Sequence, residues 1–256
     1  MPPAEGGGME IFMDKKYIEE TIKSYLSNYL NCRPDDLEKE GTVFIGNDER
    51  KFPFLKICTM GQAVIISASG TLIPKIQKLL ENKSRDEIFE NPFIYGQSIY
   101  YIPDIKIFKK LALDNNFQYE LLEGKEIQKL NGISGFENSL EFDKDGNTST
   151  GIVLYAMKDH EIIALAGASK ENEKMWELGI DVKPEYRRNG LGAVLISNLA
   201  DTILEKGIIP FYCASTTNIS SQAVAHRSGF MPCFVNTYGN ILDGSSVYNG
   251  VLKGLY

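Results

Sequence analysis

The sequence predicts an α+β protein: a mixed, mostly antiparallel sheet, preceded by a smaller α+β domain. Three observations predict it. Short β-branched runs separated by polar turns recur in both halves of the chain, the signal of antiparallel strands. Segments with apolar residues at helical spacing stand among them. An apolar strand over 208–213 follows a long helix, which is the pattern of a parallel crossover.

In chain order, residues 14–30 place Tyr17, Ile18, Ile22, Tyr25, Leu26 and Leu30 at helical spacing. The runs 41–45, 54–58 and 63–66 read as strands of a small antiparallel meander, with turns at Gly46-Asn47-Asp48 and Met60-Gly61. Helical periodicity returns over 71–82, and Ser84 with an acidic first turn opens a short helix over 84–89 that Pro92 ends. The aromatic stretch 97–101 is extended, and 104–111 reads as a helix. Residues 1–8, rich in Pro and Gly, read as a disordered lead; a domain boundary falls after the turn signal Asn115-Asn116, dividing 9–116 from 117–256.

The second part begins with a strand over 119–122, a short helix over 125–130 and a loop over 142–150. Strands 152–157 and 162–166 form a hairpin across Lys158-Asp159-His160-Glu161. A third strand, 175–182, runs into a polar turn, and the helix 191–206 buries one face through Leu191, Leu195, Leu199 and Ile203. Gly207 stops it. After the strand 208–213 come a helix over 220–227 and strands over 230–236 and 246–253.

The chain has four cysteines, with no C-x-x-C pair, and two histidines outside ligand spacing of them. This predicts reduced thiols, no structural metal and a cytoplasmic setting. No apolar run reaches the roughly 20 residues of a membrane span. The net charge of −7 argues against nucleic acid as a partner and suits a cationic one.

The chemistry gathers at Arg187-Arg188-Asn189-Gly190-Leu191-Gly192-Ala193. A phosphate oxygen must approach several backbone amides at once, and a side chain at Gly190 or Gly192 would hold it off. The helix that starts there adds unpaired amides and the positive end of its dipole, and Arg187 and Arg188 put charge at the rim. The stretch lacks the Gly-Lys-Ser/Thr ending of a P-loop and the third glycine of a dinucleotide site.

Arg187-x-x-Gly190-x-Gly192 after a meander resembles the coenzyme A loop of the GNAT superfamily of acyl-CoA N-acyltransferases. Asn218-x-x-Ser221-x-x-Val224-Ala225-x-Arg227-x-Gly229-Phe230 resembles a second signature of that family, in the expected order. The likeness covers about 119–256, and the first half is similar to the extra domain of a two-domain bacterial subfamily. It implies a GNAT fold with a splayed V between two central strands, 177–182 and 208–213, and acetyl-CoA as co-substrate with no metal. Amides of Arg188, Asn189, Gly190, Leu191, Gly192 and Ala193, beside Arg187, would hold the pyrophosphate. Backbone groups near Ile180 and Val182 would meet the pantetheine arm and polarise the thioester carbonyl. Asn218 would bond that arm; Ser221 would hold the next helix or touch the cofactor.

An alkyl ammonium with a pKa near ~10 needs a base before it can attack. Glu177 is the first candidate and Asp181 the alternative; their even spacing puts both on one face of a regular strand. Many family members carry a Tyr, a proton donor for the leaving thiolate, where this chain has Ala225. The sulfur would leave as thiolate or be protonated by water, or a nearby tyrosine, Tyr212 or Tyr238, would serve. The implied function is acetyl transfer to a primary amine of a small molecule or a protein, by direct transfer in a ternary complex. The alternative is a catalytically silent acyl-CoA-binding sensor or assembly module, which Ala225 favours and Glu177 disfavours. The first domain would wall the acceptor side of the cleft or mediate a homodimer.

Overall fold

The computed structural model describes residues 13–48, 54–91, 94, 96–237 and 240–241. The lead over 1–8, the strand expected over 246–253 and Tyr238 lie outside the described residues. The elements run α1 (Lys15–Leu30), β1 (Gly41–Gly46), β2 (Phe54–Met60), β3 (Ala63–Ala68), α2 (Ile73–Leu80), α3 (Arg85–Phe89) and β4 (Gln97–Pro103). After them come β5 (Gln118–Glu123), β6 (Thr150–Lys158), β7 (Glu161–Lys170), β8 (Met175–Val182), α4 (Leu191–Glu205), β9 (Ile209–Ser215), α5 (Ile219–Arg227), β10 (Phe230–Thr237) and β11 (Asn240–Ile241). The strands form one sheet in the order β1-β3-β2-β10-β4-β9-β8-β7-β6-β5, with β11 beside β2. β1–β3 and β8–β9 are parallel and the other pairs antiparallel. β4, which precedes the boundary expected between 116 and 117, lies between β10 and β9.

Local chemistry explains most elements. Asp14 caps α1, its carboxylate accepting from the Tyr17 amide at 2.7 Å. One face of α1 then buries Ile18, Ile22, Leu26 and Leu30, each worth about 1.5–3 kcal/mol of removal from water. Between β6 and β7, Asp159 and His160 both take left-handed backbone angles, φ 51° and 66°, the geometry of a two-residue hairpin turn. Ser84 and Glu87 exchange the bonds of a capping box at α3.

Two expectations fail. The first three strands are not a simple meander, because β1 crosses over β2 to pair with β3 in parallel. Alternation marks each strand but not its neighbour. Residues 104–111 are not a helix. Asp104 makes a turn, its carboxylate accepting from the Lys106 amide at 3.2 Å and its carbonyl from the Phe108 amide at 2.7 Å. The chain is then drawn over α4, where the Ser197 hydroxyl accepts from the Leu111 amide at 3.1 Å and the Asn198 side chain donates to the Leu111 carbonyl at 2.9 Å.

The pairing of β8 with β9 positions the site. It runs only from Met175–Ile209 to Leu178–Tyr212, although β8 continues to Val182 and β9 to Ser215. The two strands therefore separate beyond Leu178. β8 stays in regular register with β7 throughout, so its side chains alternate without a bulge. Trp176 and Leu178 pack in one core with Leu191, Leu195 and Leu199 of α4. Met175 packs in another with Ile18 and Ile22 of α1.

Candidate active site

The gap between β8 and β9 opens into a cavity of about 750 Å³. Of the residues singled out from the sequence, Glu177, Ile180, Asp181, Val182, Arg187, Arg188, Gly190, Leu191, Gly192, Ala193, Asn218 and Ser221 all line it; Asn189 does not. Three separate segments, β8, the loop into α4, and the start of α5, thus converge on one space.

The loop into α4 is built to leave amides free. Arg188 and Gly190 take positive φ, 66° and 83°, and Gly190 is the cap residue of α4 with no side chain to occupy the first turn. The Val194 amide reaches the Gly190 carbonyl at 3.1 Å. Among the described residues nothing accepts from the amides of 188–193. A side chain added at Gly190 would meet nothing within 4 Å, while one at Gly192 would only touch Ile180, Val182 and Val224 at 3.5–3.6 Å. The space before the amides is kept for something else. Arg187 is not a loose rim charge: its Nε donates to the Val182 carbonyl at 2.7 Å and ties the loop to the end of β8.

At the start of α5, the Asn218 carboxamide oxygen accepts from the Ser221 amide at 3.1 Å, which makes it the helix cap. The Ser221 and Tyr212 hydroxyls share a hydrogen bond of 2.7 Å. Burial raises the Tyr212 phenol above its ordinary value, with the Ser221 bond pulling the other way, so it stays protonated in the neutral range. Ala225 is buried and apolar.

Glu177 and Asp181 share a face of β8 but not an environment. The Asp181 carboxylate accepts from the Asn138 side chain at 2.6 Å, the Ser139 amide at 3.0 Å and the Ser139 hydroxyl at 2.8 Å. Glu177 has no hydrogen-bond partner among the described residues. Burial, with a smaller contribution from Glu171, pushes its carboxyl up to about 7. A carboxyl poised there exchanges protons near neutral pH. Neighbouring Cys213 is pushed above the ordinary thiol value, by burial first and then by Glu177, the opposite of an activated nucleophile.

The turn over 136–140 was not marked as functional by the sequence. It crosses β7 and β8 where Gly167 faces Gly179 in the register. A side chain on Gly167 would overlap the Ser139 carbonyl oxygen, and one on Gly179 the Asn138 carbonyl oxygen. The glycine in the strand was the available signal of a close backbone approach; its partner, some forty residues upstream, was not readable. Asn138 also lines the cavity, so Asp181 holds one of the cavity walls.

The model of the acetyltransferase (GNAT) family matches residues 119–230. No curated protein matches. Among solved structures, the chain is similar to a GCN5-related N-acetyltransferase-like protein from Streptococcus suis at 12% identity, covering 85% of this chain and 98% of that one, with a TM-score of 0.48. It is similar to a GNAT-family protein from Novosphingobium aromaticivorans at 19% identity, covering 56% of this chain, with a TM-score of 0.43; it spans 63% of that protein's length. Among the described residues no helix is long and apolar enough to cross a membrane, and no group of three or more His, Cys, Asp or Glu side chains could hold a metal ion.

Proposed function

The chain belongs to the acetyltransferase (GNAT) family through residues 119–230, and from that premise we propose that it transfers the acetyl group of acetyl-CoA to a primary amine by direct attack. The observation that carries the reading is the set of amides of Arg188 and of Gly190 to Ala193 at the head of α4, unpartnered among the described residues, in residues that line the same cavity as Glu177. Such amides, with the helix dipole behind them, suit a pyrophosphate. The gap between β8 and β9 leads from them to Glu177, and leaves backbone groups of Ile180 and Val182 to meet the pantetheine arm.

In this reading Glu177, ionised, takes the proton of the incoming ammonium. The amine nitrogen then forms a bond to the thioester carbonyl carbon and sheds its second proton, the carbon–sulfur bond breaks, and the sulfur leaves with the electron pair; the proton shed by nitrogen balances the one the sulfur takes up. The Tyr212 phenol, held by Ser221 in the same cavity, is a proton source for that sulfur which Ala225 cannot be. Asp181, saturated by three donors, positions Asn138 and is not the base. A second reading, binding of an acyl-CoA without turnover, draws on Ala225 alone. A panel of amines with free-thiol detection separates the two: thiol release dependent on amine supports transfer, and acetyl-CoA binding with no release from any amine supports the silent module.

Acetyl-CoA should raise the melting temperature. At a hundred times its dissociation constant the stabilisation is about 2.7 kcal/mol, several degrees for a chain of this size. Gly190→Glu should abolish that increment, because it sets a carboxylate in front of the amides. The left-handed angle at Gly190 costs the variant about 1–2 kcal/mol in its own right, so the readout is the increment on adding acetyl-CoA. An unchanged increment in the variant would refute the pyrophosphate seat.

A further inference from the structure

The cavity is divided by charge. Its arginines, Arg187, Arg188 and Arg227, belong to the loop into α4 and to α5, whereas its carboxylates, Glu177 and Asp181, both belong to β8. Cations near the head of α4 suit the phosphates of a donor. The β8 side suits a cation instead. Asp181 is met there by neutral donors only, the Asn138 side chain and the amide and hydroxyl of Ser139, and it forms no ion pair among the described residues.

Asn138 is placed to use that field. Its backbone carbonyl lies over Gly179, the residue midway along β8 between Glu177 and Asp181. Its carboxamide gives the NH2 end to Asp181 at 2.6 Å. A carboxylate only accepts, so Asp181 fixes which way round the carboxamide sits, and the oxygen is the end left over. That oxygen has no hydrogen-bond partner among the described residues, and Asn138 lines the cavity. An oxygen polarised by a carboxylate on the far side of its own amide favours a charged donor. Gly179 is two residues from Glu177, about 7 Å along the strand, so one short molecule can reach both.

We propose that Asn138 determines acceptor specificity: its carboxamide oxygen receives a second ammonium group of the acceptor, which is a short diamine or polyamine and not a simple alkylamine. The proposal rests on the acetyl-transfer reading above. One nitrogen gives its proton to Glu177 and attacks the thioester; the other stays charged and anchors the molecule beside Asn138 and Asp181. This explains why two strands each give up a side chain, at Gly167 and Gly179, to seat a turn beside the base.

The test uses unbranched terminal diamines of increasing length, each set against the alkylamine and the amino alcohol of the same length. Turnover with acetyl-CoA is followed by thiol release for the full chain, for Asn138→Ala and for Asp181→Asn. Asn138→Ala leaves the Ser139 amide and hydroxyl on Asp181, so the turn should keep its seat and the acetyl-CoA melting increment should persist. In the unsubstituted protein the best diamine should exceed its alkylamine in kcat/KM by about tenfold, the worth of a charge-assisted bond, beyond the statistical advantage of its second nitrogen. The preference should reside in KM, with the amino alcohol between the two. The ratio should fall toward unity in Asn138→Ala, and also in Asp181→Asn, which removes the charge and frees the carboxamide to turn over. It is read within each protein, so a variant that loses activity overall still answers, and if Asn138→Ala fails to fold the Asp181→Asn ratio decides. Equal values for diamine and alkylamine at every length would overturn the proposal, as would a ratio unchanged by the substitutions or an amino alcohol as good as the diamine. So would an intact acetyl-CoA melting increment with no turnover of any diamine. Absence of that increment in the unsubstituted protein would instead bring down the acetyl-transfer reading, and this proposal with it.

Discussion

Glu177→Gln should lower kcat/KM for amine acetylation by roughly 10²–10⁴-fold, the usual worth of a positioned base, and leave acetyl-CoA binding in place. The same variant carries a second signature. With its carboxyl at about 7, Glu177 is increasingly ionised as pH rises through neutrality, so kcat/KM of the unsubstituted protein should climb on an acidic limb near 7. The Gln variant should lack that limb. Stability moves the other way. The folded state raises this carboxyl from 4.5, so its protonated form adds stability that is fully present below pH 4.5 and lost as pH rises through 7. Gln is neutral throughout and escapes the loss. At pH 8 the variant should therefore be the more stable protein, by up to about 3 kcal/mol, with the advantage gone at pH 4. A pH–rate profile and melting curves at the two pH values check both; equal acidic limbs in the two proteins would exclude Glu177 as the base.

Gly179→Ala should be the most damaging conservative change on β8. Its methyl group would overlap the Asn138 carbonyl oxygen, and the obstacle is backbone, which cannot swing aside as a side chain does. Overpacking of this kind costs about 1–3 kcal/mol, and the turn over 136–140 should lift from the sheet to relieve it. Asp181 would then lose its three donors from Asn138 and Ser139, and the cavity would lose a wall. Turnover should fall steeply while the melting increment from acetyl-CoA persists, because the amides of 188–193 lie at the head of α4 and not beneath that turn. Equal loss of both would mean that the turn supports the whole site.

Much of this was legible in the sequence, for identifiable reasons. The helix over 191–206 and the strand over 175–182 announce themselves because each has one period and one buried face. Parity put Glu177 and Asp181 together, and the unbroken β7–β8 register keeps them so. What parity cannot give is the partner. Asp181 is occupied by residues 42 and 43 positions upstream, and no local pattern records that. The pairing of β1 with β3 was hidden likewise, since alternation fixes which face a residue takes and not which strand lies alongside. Residues 104–111 misled because their helical spacing is real, but Ser197 and Asn198 of α4 compete for the backbone that a helix would have used.

The place of β4 has a consequence for how the protein can be divided. The family match ends at residue 230 and begins at 119, and β4 lies outside it, yet it is hydrogen-bonded on one side to β9 and on the other to β10. A fragment beginning at residue 117 would carry two raw sheet edges where that strand had been, on β9 beside the cavity and on β10. Unpaired edges of this kind recruit other chains. The part of the chain proposed to seat the donor is therefore not a cassette that can be lifted out and grafted elsewhere; its sheet is complete only with a segment made before it slotted into its middle. Synthesis from the N-terminus supplies that segment first, and its second neighbour, β10, arrives only near the end of the described chain.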